Sequence, residues 1–323
     1  MKANDISRYV DNVDEIPDLH DYEFIAGIVG GGMPDKTGMK TLRYSKSPPM
    51  WNGVFAREGI NALYIALLPK QSMLPDLYEY LKRDKRVMGF NVTNPYKKDV
   101  FEIISRDYGV LSQEARDLGV INTVYRTGTT FAGDTTDSRG AQLSFEGAGK
   151  FNNVLINGAG DTTLSVLHGI IPLVQEHIYL LNRTAAKAHA LARLFNTRID
   201  ENKIIPLGKK DAILNPEEQM SLLKQHGSSV DAIINTTDAP GETFLSYDIA
   251  RQLKPLTLMD VKYGEKTKGL ERLAADAGHT FYPFGKYMLI GQATYSFVHL
   301  FSEKYGNDSV PKLYKLMEQN FGD

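Results

Sequence analysis

Asn157-Gly158-Ala159-Gly160-Asp161-Thr162-Thr163 follows a short apolar run, Val154-Leu155-Ile156, and precedes a helical stretch. That context suits a dinucleotide loop. Gly158 allows the tight turn, Ala159 follows, and Gly160 lets the backbone approach a pyrophosphate at a helix N-terminus. Thr163 stands at the third glycine position, and Asp161 puts a carboxylate where phosphates would sit, so an ordinary strand-to-helix turn is the alternative. The next strand ends Leu180-Leu181-Asn182-Arg183-Thr184, with no acid there to grip ribose hydroxyls. A guanidinium matches a 2′-phosphate, so if a dinucleotide binds, Arg183 favours NADP over NAD. Lys187 shares its face if the helix starts early; two solvated cations are the plainer reading.

A second set of polar residues lies upstream. Tyr44-Ser45-Lys46-Ser47-Pro48 sets two hydroxyls two residues apart. In extended chain these point the same way, so Ser45 and Ser47 can hold a small carboxylate; helix capping by Ser47, with Ser45 idle, is the alternative. Asn91-Val92-Thr93-Asn94-Pro95-Tyr96-Lys97 follows a buried strand, a common site position in α/β proteins. A lysine near a helix start does not serve the helix dipole, and that local conflict points to function. Asn122-Thr123 opens and Asp134-Thr135-Thr136-Asp137 closes an expected hairpin. Lys97 and Asp137 together can exchange a proton with an alcohol, although each taken singly also fits a surface charge. The seven histidines show no ligand spacing, so no metal is expected.

The elements that must position these groups alternate strand and helix. Strands are expected at 23–29, 63–68 and 87–92, with helices from Pro48 to near Gly59, at 77–83 and at 97–105. Residues 121–125 and 130–133 read as a hairpin through Thr127-Gly128. The first 22 residues are acidic and aperiodic, which predicts an extension over the surface, and Gly30-Gly31-Gly32 predicts a flexible loop rather than a phosphate loop. A second block has strands at 154–156, 177–181, 204–205, 232–234 and 256–261, the pattern of a doubly wound nucleotide domain. The chain ends in helical sequence at 287–304 and 311–319.

Composition narrows the class. The 323 residues are 42% hydrophobic and 24% charged, which excludes a disordered or fibrous chain and suggests two domains. Lys and Arg total 37 against 39 Asp and Glu, a balance that argues against a dedicated nucleic-acid or membrane-surface binder. No cysteine is present, so disulfides, thiolate metal sites and cysteine nucleophiles are excluded. The polar start and the lack of a long apolar stretch predict a soluble cytoplasmic protein.

Taken in order, these segments resemble the shikimate dehydrogenase family over most of residues 23–303. The marks are Ser45-Lys46-Ser47-Pro48, Asn91 to Lys97, Ile121-Asn122-Thr123, Gly133 to Asp137, Gly158-Ala159-Gly160, Asn182-Arg183-Thr184, Ile234-Asn235-Thr236-Thr237, Asp260-Val261-Lys262-Tyr263 and Met288-Leu289-Ile290-Gly291-Gln292. The resemblance implies NADP-linked reduction of 3-dehydroshikimate to shikimate. Ser45, Ser47 and Tyr263 would hold the substrate carboxylate, and Thr93, Asn122 and Gln292 the ring hydroxyls. Lys97 and Asp137 would be the catalytic pair, with Asp137 also on the substrate. Gly158, Ala159, Gly160, Asn182, Arg183, Thr184, Lys187 and Thr236 would hold NADP. It also implies an α/β substrate domain, residues 1–138, completed by C-terminal helices at 286–323, and a Rossmann-like doubly wound NADP domain at 139–285. A homodimer is left open. Departures fall mostly on the cofactor side: Asp161, Lys187 and Asp238-Ala239-Pro240-Gly241 replace commoner residues. Thr135 and Ser138 also differ from the pattern, and the 30–43 loop and the N-terminus are longer than usual. A quinate or aminoshikimate-type dehydrogenase and a non-catalytic shikimate or NADP binder are the competing readings.

Overall fold

The computed structural model describes residues 3–34, 38–43 and 45–322; residues 35–37 of the long loop and Tyr44 lie outside the described residues. The chain divides into two units, Met1–Thr136 with Gln292–Asp323, and Asp137–Gly291.

The first unit is built on β1 (Phe24–Val29), β2 (Met33–Pro34), β3 (Lys40–Thr41), β4 (Ala62–Leu67), β5 (Val87–Val92), β6 (Thr123–Thr127) and β7 (Thr130–Asp134). Five of these form one sheet in the order β4-β1-β5-β6-β7, while β2 and β3 pair by themselves. β1 runs parallel to both neighbours, and five of its six residues are buried, as a strand covered on two faces requires. β6 turns back antiparallel to β5 and enters a hairpin with β7 through Gly128, at φ 61°. Helices Ser47–Glu58, Leu74–Arg83 and Lys97–Arg106 follow β3, β4 and β5 in sequence. The C-terminal part of the chain returns to this unit: Phe297 packs on Trp51 and Phe55 at ring separations of 5.2 and 5.8 Å, and Tyr305 and Lys312 bond Glu58.

The second unit contains β8 (Asn153–Asn157), β9 (His177–Leu181), β10 (Ile204–Pro206), β11 (Ala232–Asn235), β12 (Thr257–Asp260) and β13 (Thr280–Tyr282), all parallel, in the order β10-β9-β8-β11-β12-β13. This is the doubly wound order, with the direction of winding reversing between β8 and β11. Successive residues of β8 serve opposite faces. Val154 and Ile156 join a core with Val166, Leu167 and Ile170, while Leu155 joins another with Leu181, Ile233 and Leu258.

Two local expectations are corrected and one helix without a sequence expectation is added. The N-terminal segment is not a loose extension, because Ile6, Val10 and Leu19 are buried in the first core. Its Asn12 covers the exposed edge of β4: Nδ2 donates to Ala66 O at 2.9 Å and Oδ1 accepts Leu68 N–H at 2.9 Å. Asn52 does the same from helix Ser47–Glu58, exchanging both bonds with the Tyr64 backbone. Two amide side chains thus occupy groups that would otherwise template strand pairing. Second, the triple glycine leads into the β2–β3 ribbon rather than a free loop. A Cβ at Gly30 would collide with the Thr93 methyl group, so the glycine serves close approach to the β5 terminus. Third, helix Gln113–Leu118, which periodicity did not reveal, is set by a cap: Ser112 Oγ accepts Ala115 N–H at 3.0 Å.

Two outcomes follow from these contacts. Asn12→Ala should cost about 1–3 kcal/mol, because the buried Leu68 N–H loses its acceptor. Urea unfolding measures this, and a loss below roughly 0.3 kcal/mol would show that the edge is not held by Asn12. At the other edge, burial works against the charge of Asp134, but hydrogen bonds from His299 (Nε2 to Oδ2, 2.8 Å) and Ser112 outweigh it and hold its pKa below the usual value. The contribution of the ionised carboxylate is therefore complete above the ordinary Asp range, about pH 4, and is lost as pH falls through the lowered value. Asp134→Asn should destabilise the protein at neutral pH and do so less in acid; a deficit of constant size across that range would contradict the sign.

Candidate active site

In the first unit the proposed substrate residues come from both strand termini and helices: Thr93 follows β5, Asn122 precedes β6, Ser47 opens a helix and Gln292 lies within helix Phe284–Leu300. Ser47 is the first residue of helix Ser47–Glu58, buried, and does not cap it. Ser45 is the one that meets the helix start, its Oγ accepting Ser47 N–H at 3.3 Å. The expectation of two parallel hydroxyls in extended chain is thus corrected: two prolines at the helix start pull Ser47 into the first turn. Its hydroxyl bonds the Tyr64 phenol, and burial pushes that phenol well above its usual pKa, so it stays a protonated donor. Tyr64 in turn donates to Asn91 Oδ1 at 2.8 Å.

Asn91 passes the connection on. Its Nδ2 reaches Ser296 Oγ at 2.8 Å and Thr123 Oγ1 at 3.2 Å. Ser296 and Thr123 are 2.7 Å apart through their hydroxyls, and Thr123 Oγ1 bonds Asn122 Oδ1 at 3.0 Å. Asn122 Oδ1 also accepts Thr136 N–H at 2.8 Å, and its Nδ2 donates to Gln292 Oε1 at 2.7 Å. Ser47, Asn122 and Gln292, 245 positions apart at the extremes (292 − 47), therefore belong to one buried network. The carbonyl of Asn122 is committed to the fold, which orients its amide and fixes the Gln292 side chain beside it.

Thr93 follows β5 directly, its N–H bonded to Val29 O at 2.9 Å and its carbonyl to Tyr96 N–H at 3.1 Å. Lys97 is half-buried and begins helix Lys97–Arg106 after Tyr96. Lys98 is exposed. Asp137 is half-buried and opens both helix Asp137–Ala148 and the second unit. Tyr263 belongs to the second unit and precedes the short helix Gly264–Thr267.

In the second unit the glycine loop leaves β8 at the switch point. Gly158 has φ 131°, and a Cβ there would strike Thr236 Oγ1. Only glycine fits both conditions. Gly160 is different. Its φ is −101°, and a Cβ there would enter open space. The fold itself does not need glycine at 160, whereas a ligand approaching the backbone would. Thr163, at the third glycine position, accepts Gly160 N–H at 3.2 Å and lies 2.7 Å from Thr236 Oγ1, which donates to Asn157 O at 2.9 Å. The departure from the glycine pattern thus rigidifies the turn instead of opening it. Asp161 is exposed at the first position of helix Asp161–Ile170, with Gly160 in the capping position.

Beyond this loop, Asn157, Asn182, Arg183, Thr237 and Asp238 line a cavity of about 490 Å³ at the ends of β8, β9 and β11. Arg183 is exposed and precedes the helix, which starts at Ala185 after Thr184. Arg183 therefore does not share a helical face with Lys187, which is exposed one turn on. Asn182 Nδ2 donates to Thr184 O at 2.8 Å and holds the strand exit. A cradle lined by one guanidinium, beside a helix N-terminus with room at Gly160, fits a dinucleotide phosphate group. Among the described residues no three His, Asp or Glu side chains gather as metal ligands, and no helix is long and apolar enough to cross a membrane.

Sequence reasoning missed Tyr64 and Ser296. Tyr64 carries a signal, a polar-tipped ring amid the apolar Ala62–Leu67 strand whose hydroxyl must find a partner when buried. Ser296 stands four residues after Gln292 and donates to its carbonyl at 2.9 Å, which looks like ordinary helix decoration until the fold brings Asn91 to it.

Residues 39–124 match the family described as shikimate dehydrogenase substrate binding domain. A protein named shikimate dehydrogenase (NADP(+)) from Caldicellulosiruptor saccharolyticus is 31% identical over 202 residues, 61% of this chain; the chain spans just under two thirds, 65%, of that relative's length. A protein of the same name from Alkaliphilus oremlandii is 30% identical over 281 residues, 84% of this chain and 90% of the relative. The crystal structure of shikimate dehydrogenase from Aquifex aeolicus superposes with a TM-score of 0.72 at 23% identity, covering 95% of this chain and all of that one, and so shares the fold. With similarity running through both units, the chain belongs to the shikimate dehydrogenase family.

Proposed function

We propose that the chain is an NADP-dependent shikimate dehydrogenase that interconverts 3-dehydroshikimate and shikimate. The observation that carries this reading is the buried network joining Ser47, Tyr64, Asn91, Asn122 and Gln292. It holds Ser47, Asn122 and Gln292, which come from separate elements, in set positions through the buried Tyr64 and Asn91, the preorganisation a site for a small polyhydroxy acid needs. The names of the relatives support the same substrate class.

Ser45, Ser47 and Tyr263 are assigned to the substrate carboxylate, and Thr93, Asn122 and Gln292 to the ring hydroxyls. Lys97 and Asp137 carry the acid–base step. Reduction of the ketone adds a proton to its oxygen, and Lys97 donates that proton from its ammonium group while Asp137 accepts a hydrogen bond from a neighbouring hydroxyl. In the reverse direction Lys97 takes the proton back. Gly158, Ala159 and Gly160 with Thr236 form the loop for the cofactor's pyrophosphate, and Asn182, Arg183, Thr184 and Lys187 lie where its adenosine end would bind. A reduced nicotinamide, when bound, supplies the hydride. Arg183, with no acid next to it in sequence at the end of β9, supports NADP as the preferred form, although Asp238 lines the same cavity.

The test is NADPH oxidation with 3-dehydroshikimate, set beside NAD reduction with quinate. Turnover in the first assay alone is expected. Turnover in the second alone would make the chain a quinate-type dehydrogenase, and none in either would make it a binder. Lys97→Ala should lower turnover by ~10²–10⁴ while changing substrate affinity far less. Turnover within tenfold of the parent protein would remove Lys97 from the chemistry.

A further inference from the structure

We propose that Lys262 is a positioning residue for the cofactor pocket, holding the 237–239 segment in the place where a dinucleotide meets it. The inference rests on the dinucleotide reading above and adds to it a residue outside the nucleotide loop.

Lys262 follows β12 and is nearly withdrawn from water, its side chain 14% exposed. Its ammonium carries three donors, and all three have acceptors. Nζ lies 2.8 Å from Thr237 O, 2.6 Å from Ala239 O and 3.2 Å from Asp260 Oδ1. A lysine on a protein surface ordinarily keeps its charged end in water, and burial of that end is costly unless every donor is met. Here the charge is spent on two main-chain carbonyls of a single loop. The carboxylate beneath it is fully buried and held by Asn235 Nδ2 at 2.8 Å and by Lys262 N–H at 2.8 Å. Asn235 also grips the loop from below: its Oδ1 accepts the Thr237 hydroxyl at 2.8 Å and its Nδ2 reaches Ala239 O at 3.1 Å.

The loop so held is not remote from the ligand site. Thr237, Asp238 and Ala239 line the same 490 Å³ cavity as Asn182 and Arg183. The same stretch, Asp238 to Gly241, is where this chain leaves the pattern of the family it resembles. Lys262 thus supplies by a side chain the support for an altered lining. Without it, two carbonyls lose their shared donor, the lining relaxes, and its spacing from Arg183 is no longer set.

The test compares the parent protein with Lys262→Met and with the double variant Lys262→Met/Asp260→Asn. The double variant removes the buried carboxylate's charge together with the lysine, and so keeps a folded reference if the single variant fails to fold. Each is titrated with NADP by calorimetry, assayed for KM toward 3-dehydroshikimate, and followed by amide hydrogen exchange over residues 236–241. The expected result is NADP binding weakened at least fivefold in both variants, KM for 3-dehydroshikimate within threefold of the parent, and faster exchange confined to the loop. NADP affinity within twofold of the parent in a folded variant overturns the proposal. So does equal weakening of both ligands, since that marks a general loss of structure. A parent protein that binds neither NADP nor NAD overturns the dinucleotide reading itself and this role with it, a result distinct from a parent that binds and variants that bind alike.

Discussion

The Tyr64 hydroxyl lies in the core of the first unit and donates to Asn91 Oδ1 at 2.8 Å. Left unpaired at that depth, each partner would carry a desolvation cost of about 1–3 kcal/mol. Every further polar group nearby is under the same constraint. The solution is a chain of shared bonds through Thr123, Ser296 and Thr136 that ends on Asn122 and Gln292. A network of such density holds the groups at its ends in place, whichever hydroxyl donates in the Thr123–Ser296 and Thr123–Thr136 pairs. Trp51, stacked on Tyr64 at 4.8 Å and touching Phe297, closes the apolar side of the same core.

The second unit meets a different constraint. Its sheet is parallel and covered on both faces, so polar chemistry can stand only where strands end. At those ends Gly158 is required by the fold and Gly160 is not. Asp161 sits in the first turn of the following helix, where a carboxylate favours the helix dipole and opposes an arriving phosphate. Arg183, exposed at the end of β9, supplies charge of the opposite sign. The balance between these two exposed groups is electrostatic and is screened by salt.

Most strands of the two sheets are legible because apolar runs between turn residues leave little choice: 87–92 and 177–181 have their expected ends, whereas the three-residue β13 gives no such run. The hairpin through Gly128 was legible from its turn chemistry. What the sequence concealed depends on long-range partners. Ile6, Val10 and Leu19 meet the core through a segment with only short helical pieces, so their spacing does not translate into one helix face. Asn12 reads as a loop residue until the β4 edge arrives beside it. Ser47 reads as a cap, although a neighbouring tyrosine claims its hydroxyl. Lys262 stands in the Asp260–Tyr263 segment that carries the resemblance, but nothing local reveals that two carbonyls converge on it.

The central claim is that the buried network sets the groups that would bind substrate. Tyr64→Phe removes one hydroxyl from it and leaves the ring stacking in place. Shikimate titrated into the two proteins at equilibrium gives the answer. The account predicts about three- to tenfold weaker binding in Tyr64→Phe, the equivalent of one net hydrogen bond, with NADP affinity unchanged. Equal shikimate affinity in the two proteins would contradict it.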